Sequence, residues 1–159
     1  MLGDVACPVA RGQKDKLVGG LPYRAAMTRF VIDAATLLHL VQENVPIIPQ
    51  HQIVAPSLIR SQALSLLLQR ARRGDLTESV ALQHLERIAE MKMRLLGDRV
   101  SRRTAWKIAR ERSWETTYEA EYVAVTRLQA DALISVDGLM RNQVAGMVPL
   151  AHVDALTAA

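Results

Sequence analysis

With 159 residues, half of them hydrophobic, the chain has room for one domain with a sizeable core and not for two ordinary ones. The excess of 20 lysines and arginines over 16 acids gives +4, but Arg11, Lys14, Lys16 and Arg24 against Asp4 and Asp15 put half of it in residues 1 to 26, so local charge matters more than the total. The single Cys7 excludes an internal disulfide framework and a thiolate metal cluster, and no apolar run approaches a membrane helix or a secretory signal, which makes a cytoplasmic protein with no membrane partner the simplest expectation.

Residues 1 to 26, with four glycines, two prolines and no sustained period, read as a disordered extension, and Met27 is a candidate alternative start. Residues 27 to 159 form the expected domain. Phe30, Val31 and Ile32 are apolar on both faces, as suits a strand buried between helical layers, and Asp33 follows at once. Two readings of Asp33 stand side by side. Ligands of open α/β sheets gather at the carboxyl ends of such strands, and Asp is also a favoured N-cap for a helix starting at Ala34. That helix, to about Glu43, is expected to bury Leu37, Leu38, Leu40 and Val41, with a proline-containing loop to Gln50 and a short strand at Ile53 and Val54.

Pro56 suits a first helical turn and Gly74 a left-handed terminus, which together bracket a helix over 57 to 73. Leu58, Ile59, Leu66 and Leu67 repeat along it at helical spacing, with Gln62 on the same side. Thr77 caps a helix to about Glu90 with Leu82, Leu85, Ile88 and Ala89 inward, and the two helices form a hairpin. Met91 to Leu96, with Lys92 and Arg94 alternating, reads as a short extended piece. Ser101 caps a helix to about Arg112, Trp114 lies in a loop, and Thr116 or Thr117 caps a helix to about Gln129. Ala132 to Val136 is a second apolar strand ending in a carboxylate, Asp137. Met147 to Leu150 is the last strand, before a short terminal helix. Alternating strands and helices predict a three-layer α/β/α sandwich with a mainly parallel sheet.

Parallel strands bring their carboxyl ends to one edge, so Asp33 and Asp137 are expected in one cleft, with Glu119 and Glu121 close by at a helix start. Acids in a first helical turn also complement the macrodipole, worth roughly 0.3 to 1 kcal/mol. That plainer role is preferred for Glu121 and not for Glu119.

Phe30 to Ala34, the helix start Pro56 to Gln62, Thr117 to Ala124 and Ala132 to Asp137 resemble, in order and spacing, the motifs of the PIN-domain family, and more narrowly the VapC-type toxin ribonucleases of bacterial toxin–antitoxin pairs. The resemblance spans Thr28 to about Ala155. It implies a small α/β/α sandwich that holds Mg²⁺ or Mn²⁺ on a cluster of acids and cleaves RNA endonucleolytically. It also implies a cognate antitoxin that blocks the cleft, and a homodimer. Asp33 matches the first family acid and Asp137 the last, while Ser135 matches a small hydroxyl residue two places earlier. Gln62 falls where the family usually has glutamate, and Glu119 where it usually has aspartate.

Carboxylates about 5 Å apart repel by roughly 3 kcal/mol per pair at an effective dielectric near 20, so such a cluster calls for a cation or for protonation. Gln62 can offer an oxygen or orient a water but supplies no charge, and Glu119 is longer by one methylene. Arg99, Arg102, Arg103, Lys107, Arg110 and Arg112 lie in one segment with a single acid, Glu111, and offer phosphate contacts or else a solvated helix face. Trp114 and Tyr118 are candidates for stacking on unpaired bases, and Trp106 for the core or a dimer interface. The four histidines show no ligand spacing.

Three classes follow. The first is an active endoribonuclease in which Asp33, Glu119 and Asp137 hold the ion and Gln62 orients water. The second is a catalytically impaired module that binds RNA or an antitoxin. The third, a nucleotide-binding domain, is disfavoured because both the G-x-G-x-x-G turn and the P-loop are missing.

Overall fold

Five short stretches rich in apolar residues pair into one sheet in a computed structural model that describes residues 27–159. The extension expected over residues 1 to 26, Cys7 included, lies outside the described residues. The strands are β1 (Thr28–Ile32), β2 (His51–Pro56), β3 (Arg94–Leu96), β4 (Ala132–Ile134) and β5 (Leu150–Ala151), and they stand in the order β3-β2-β1-β4-β5. Every pairing is parallel. Val31, Ile32, Val54, Leu133 and Ile134 are wholly buried, as central strands covered on both faces must be.

The helices are α1 (Ala34–Gln42), α2 (Ile59–Arg72), α3 (Glu78–Glu90), α4 (Arg99–Glu111), α5 (Tyr118–Gln129) and α6 (Gly138–Val144), with a final 3₁₀ turn at Val153–Leu156. Helices α1, α2 and α3 pack on one another, while α5 lies along β1, β2 and β4 with α4 against it, which completes a three-layer α/β/α sandwich. Leu37, Leu38 and Leu40 of α1, and Val123 to Val125 of α5, supply much of the core. None of the described helices is long and apolar enough to cross a membrane.

Several boundaries differ from those expected, for local reasons. Pro56 ends β2 instead of opening α2, which starts at Ile59 without a side-chain cap. Gly74 does take the left-handed conformation, and Asp75 N–H reaches back to Arg70 O to close the helix. Asp98, not Ser101, caps α4 by accepting from Ser101 N–H at 2.8 Å. Thr117 sits at the start of α5 but bonds Glu121 at 3.3 Å and caps nothing. Leu82 and Ala89 face solvent and Ala81 takes the buried place on α3. Trp106 is 64% exposed and so is no core residue. The last strand falls at Leu150–Ala151, later than expected, and α6 was not anticipated.

Candidate active site

Strand order decides where the acids meet. From β1 the chain turns to β2 and β3 on one side and later returns to β4 and β5 on the other, so the sheet changes direction between β1 and β4. A crevice outside the carboxyl ends of two such strands is where open α/β sheets place their ligands. The register Ile32↔Ile134 sets the next residues, Asp33 and Ser135, side by side.

The result is a buried knot of polar groups. Among the described residues the buried polar side chains are Asp33, Thr36, Ser101, Thr126 and Ser135, and three of these five bond one another. Asp33 Oδ1 accepts from Thr36 N–H at 2.9 Å and from Thr36 Oγ1 at 2.5 Å, and its Oδ2 accepts from Ser135 Oγ at 2.5 Å. Three donors on one carboxyl group is the pattern an acceptor-only carboxylate needs in a buried position. Each hydroxyl also accepts from the loop after β4, Thr36 from Val136 N–H at 3.0 Å and Ser135 from Asp137 N–H at 3.1 Å. Asp33 thus caps α1 and, through two hydroxyls, holds the backbone that carries Asp137. The N-cap reading of Asp33 holds, and its carboxyl group stands at the carboxyl end of a central strand.

Asp137 is exposed and caps α6, accepting from Leu139 N–H at 2.9 Å. Arg141 donates from one guanidinium nitrogen to Ser135 O at 3.1 Å and Ala151 O at 3.3 Å, tying the ends of β4 and β5 to α6. These bonds explain why β4 stops at Ile134, since Val136 N–H and Asp137 N–H are spent on side chains.

A cleft of about 350 Å³ opens over this knot, lined by Asp33, Gln62, Glu119, Tyr122, Asp137 and α6 residues such as Leu139. Four residues singled out from the sequence, separated by up to 104 positions from Asp33 to Asp137, therefore line one hollow. Gln62 accepts a 2.6 Å hydrogen bond from the Tyr122 hydroxyl. Burial pushes the Tyr122 phenol far above its ordinary value and the Asp33 carboxylate adds to the effect, with the Ala34 N–H pulling the other way.

Glu121 is not in the cleft. It lines a separate narrow gap with Pro56, Gly97, Ser101 and Arg102, where burial raises its pKa against the lowering pull of the Thr117 hydroxyl and Arg102. A rotation of 200° between positions two apart in a helix separates it from Glu119. No three His, Cys, Asp or Glu side chains among the described residues are grouped closely enough to hold a metal ion directly.

Arg102, Arg103, Lys107 and Arg110 are all exposed on α4, and no described carboxylate lies within ion-pair distance of them. Arg103 and Lys107 flank the exposed Trp106 around a shallow hollow of about 330 Å³. Trp114 is half-buried and packs against the core, so on this face the aromatic next to the cations is Trp106. Tyr118 is 53% exposed at the start of α5. The residues missed in the sequence are Thr36, Tyr122 and Arg141. Only Thr36 left a local signal, an Asp-x-x-Thr spacing at a helix start.

No protein-family model matches the chain, and no curated protein matches it. Among solved structures it is similar to the crystal structure of PAE2754 from Pyrobaculum aerophilum, at 23% sequence identity and a TM-score of 0.64, over 83% of this chain and 95% of that one. The likeness is one of fold: this chain and the archaeal protein share the α/β architecture over nearly their whole described lengths.

Proposed function

We propose that the protein is a metal-dependent endoribonuclease of the PIN-domain kind, the toxin of a cytoplasmic toxin–antitoxin pair. The observation that carries the reading is the convergence of Asp33, Glu119, Asp137 and Gln62 from four separate elements on one cleft at the sheet's switch point. The donors there are all oxygen or amide groups, which suits a hard cation, and the space over the knot leaves room for waters. The acids are not closed into a cage, which fits Mg²⁺ or Mn²⁺ held by one or two carboxylates with the rest bridged by water. When bound, such an ion polarises a phosphoryl oxygen and lowers the pKa of a water.

The chain's own residues supply the remainder. Asp33 is the rigid ligand, fixed by Thr36 and Ser135. Asp137 is positioned through the same two hydroxyls and stays exposed to the strand. Glu119 reaches in from α5. Arg103, Lys107, Arg110 and Trp106 on α4, and Arg102 beside them, attract phosphate and offer a stacking face. Leu139, 80% exposed at the cleft rim, suits an apolar anchor from an antitoxin that covers the acids, and Leu64 and Leu68 on α2 are exposed one helical turn apart, as a homodimer contact would need.

A second reading has its own observation. The Gln62 oxygen is already engaged by Tyr122 and no carboxylate stands in its place, which favours a module that binds RNA or an antitoxin with impaired chemistry. The test is cleavage of mixed-sequence single-stranded RNA by the full chain with Mg²⁺, Mn²⁺ or chelator, beside Asp33→Asn. Discrete, metal-requiring cleavage lost in the variant supports the nuclease. Intact RNA across a broad set, with folded protein, hands the function to the binding module.

A further inference from the structure

Gln62 is half-buried on the cleft side of α2, and the one hydrogen bond its side chain makes among the described residues is with Tyr122 at 2.6 Å. The direction of that bond is fixed by chemistry. A phenol, with an ordinary pKa of about 10, keeps its proton at neutral pH. Tyr122 is buried, and Gln62 is the acceptor available to its hydroxyl among the described residues. The hydroxyl therefore donates, and within a carboxamide only the oxygen accepts. The planar group is left in one orientation, oxygen on Tyr122 and both N–H donors turned away from it, beside the acids that line the cleft.

We infer that Tyr122 is a positioning residue that locks the Gln62 carboxamide as a hydrogen-bond donor in the cleft, so that Gln62 meets a phosphate oxygen of the bound strand and is not a ligand of the cation. The inference deepens the reading of the cleft as a cation and phosphate site and rests on it. It also gives the replacement of a carboxylate by an amide at this position a chemical content. A carboxylate here would accept the same bond from Tyr122 and bring a negative charge to the cation. The amide brings a donor to the anion instead.

The experiment uses the full chain and two binding readouts that need no turnover, Mn²⁺ affinity and, in chelator, the affinity for a short single-stranded RNA. Gln62→Ala leaves Mn²⁺ affinity within about twofold of wild type, because no ligand is lost. Tyr122→Phe frees the carboxamide to turn its oxygen to the ion and tightens Mn²⁺ by about fivefold, the scale of one modest hydrogen bond. That gain disappears when Gln62→Ala is added, which a general packing effect of Tyr122 would not do. Gln62→Glu weakens RNA binding in chelator by about tenfold, since donors become a negative charge. The inference is overturned if Gln62→Ala alone loosens Mn²⁺ tenfold, if the effect of Tyr122→Phe persists without Gln62, if Mn²⁺ binds no variant, or if Gln62→Glu binds RNA like wild type. Should Tyr122→Phe not fold, the Gln62→Ala and Gln62→Glu measurements decide it. Cleavage assayed separately, with the same proteins, RNA and Mn²⁺ together, distinguishes the two claims: the binding pattern without cleavage sinks the nuclease reading and leaves the role of Tyr122 standing.

Discussion

The two edges of the sheet carry hollows of opposite kinds. At the amino edge, Met27, Ile47, Ile48, Ile53, Met91 and Met93 line a groove of about 820 Å³ whose polar members lie at the starts of β2 and β3. At the carboxyl edge the cleft is less than half as large, yet it holds three acids, an amide and the buried Asp33 knot. Volume alone would direct attention to the amino edge. Buried polar groups are costly unless each is satisfied, and the carboxylate beneath the cleft is held by three donors.

The sharpest way to break this contrast is Asp33→Asn. It removes the carboxylate proposed to hold the cation and sets an amide against hydroxyl donors, and cleavage is expected to fall by about 10²-fold or more, the equivalent of a few kcal/mol of transition-state stabilisation. Retained cleavage would move the site elsewhere. Ser135→Ala acts next. It strips Asp33 Oδ2 of its partner and releases Asp137 N–H, at a cost of about 1 to 3 kcal/mol in denaturant unfolding; a change under ~0.5 kcal/mol would mean that the knot is ornamental.

The amino edge supplies the control. Met93→Ala opens the larger groove and costs on the order of 1 kcal/mol of stability as lost burial, while cleavage stays within about twofold. A loss rivalling that of Asp33→Asn would abolish the distinction between the edges. On α4, Arg103→Ala and Lys107→Ala should each lower the log–log salt slope of RNA binding by about 1, read from titrations at several salt concentrations.

The smallest effect concerns Glu121. A carboxyl group whose pKa is raised in the folded protein binds its proton more tightly there than in the unfolded chain, so its contribution to stability is present below the unfolded value and is lost as pH rises through the folded one. At neutral pH the fold carries the cost of this buried carboxyl group, so Glu121→Gln should raise Tm slightly. The difference should vanish once the pH drops below glutamate's ordinary 4.5, and a gain that persists in acid would contradict burial as the cause.

Much of this could be read without coordinates. Phe30 to Asp33 and Ala132 to Asp137 announce themselves because a strand buried on both faces allows no polar residue until it ends, so a carboxylate at that point stands out. The alternation of elements was equally plain, whereas α6 was hidden by its seven residues, too few to show a period. Asp98 outcompeted Ser101 as a cap because the helix begins one turn earlier than its apolar pattern does. Trp106 and Trp114 exchanged expected places since a tryptophan on a strongly basic helix and one in a loop differ in burial only through what the loop folds onto. The bond between Gln62 and Tyr122 links α2 to α5 across 60 positions of sequence, which no local pattern encodes.

The most direct measurement of the central claim is Mn²⁺ titration of the full chain followed by paramagnetic broadening of backbone NMR signals. Selective broadening at Ala34, Ala35 and Leu139, with Ile53 and Met93 unaffected, is the result expected if the carboxyl-edge cleft holds the cation. Broadening centred on the amino-edge groove, or none at Mn²⁺ concentrations that support cleavage, would contradict it.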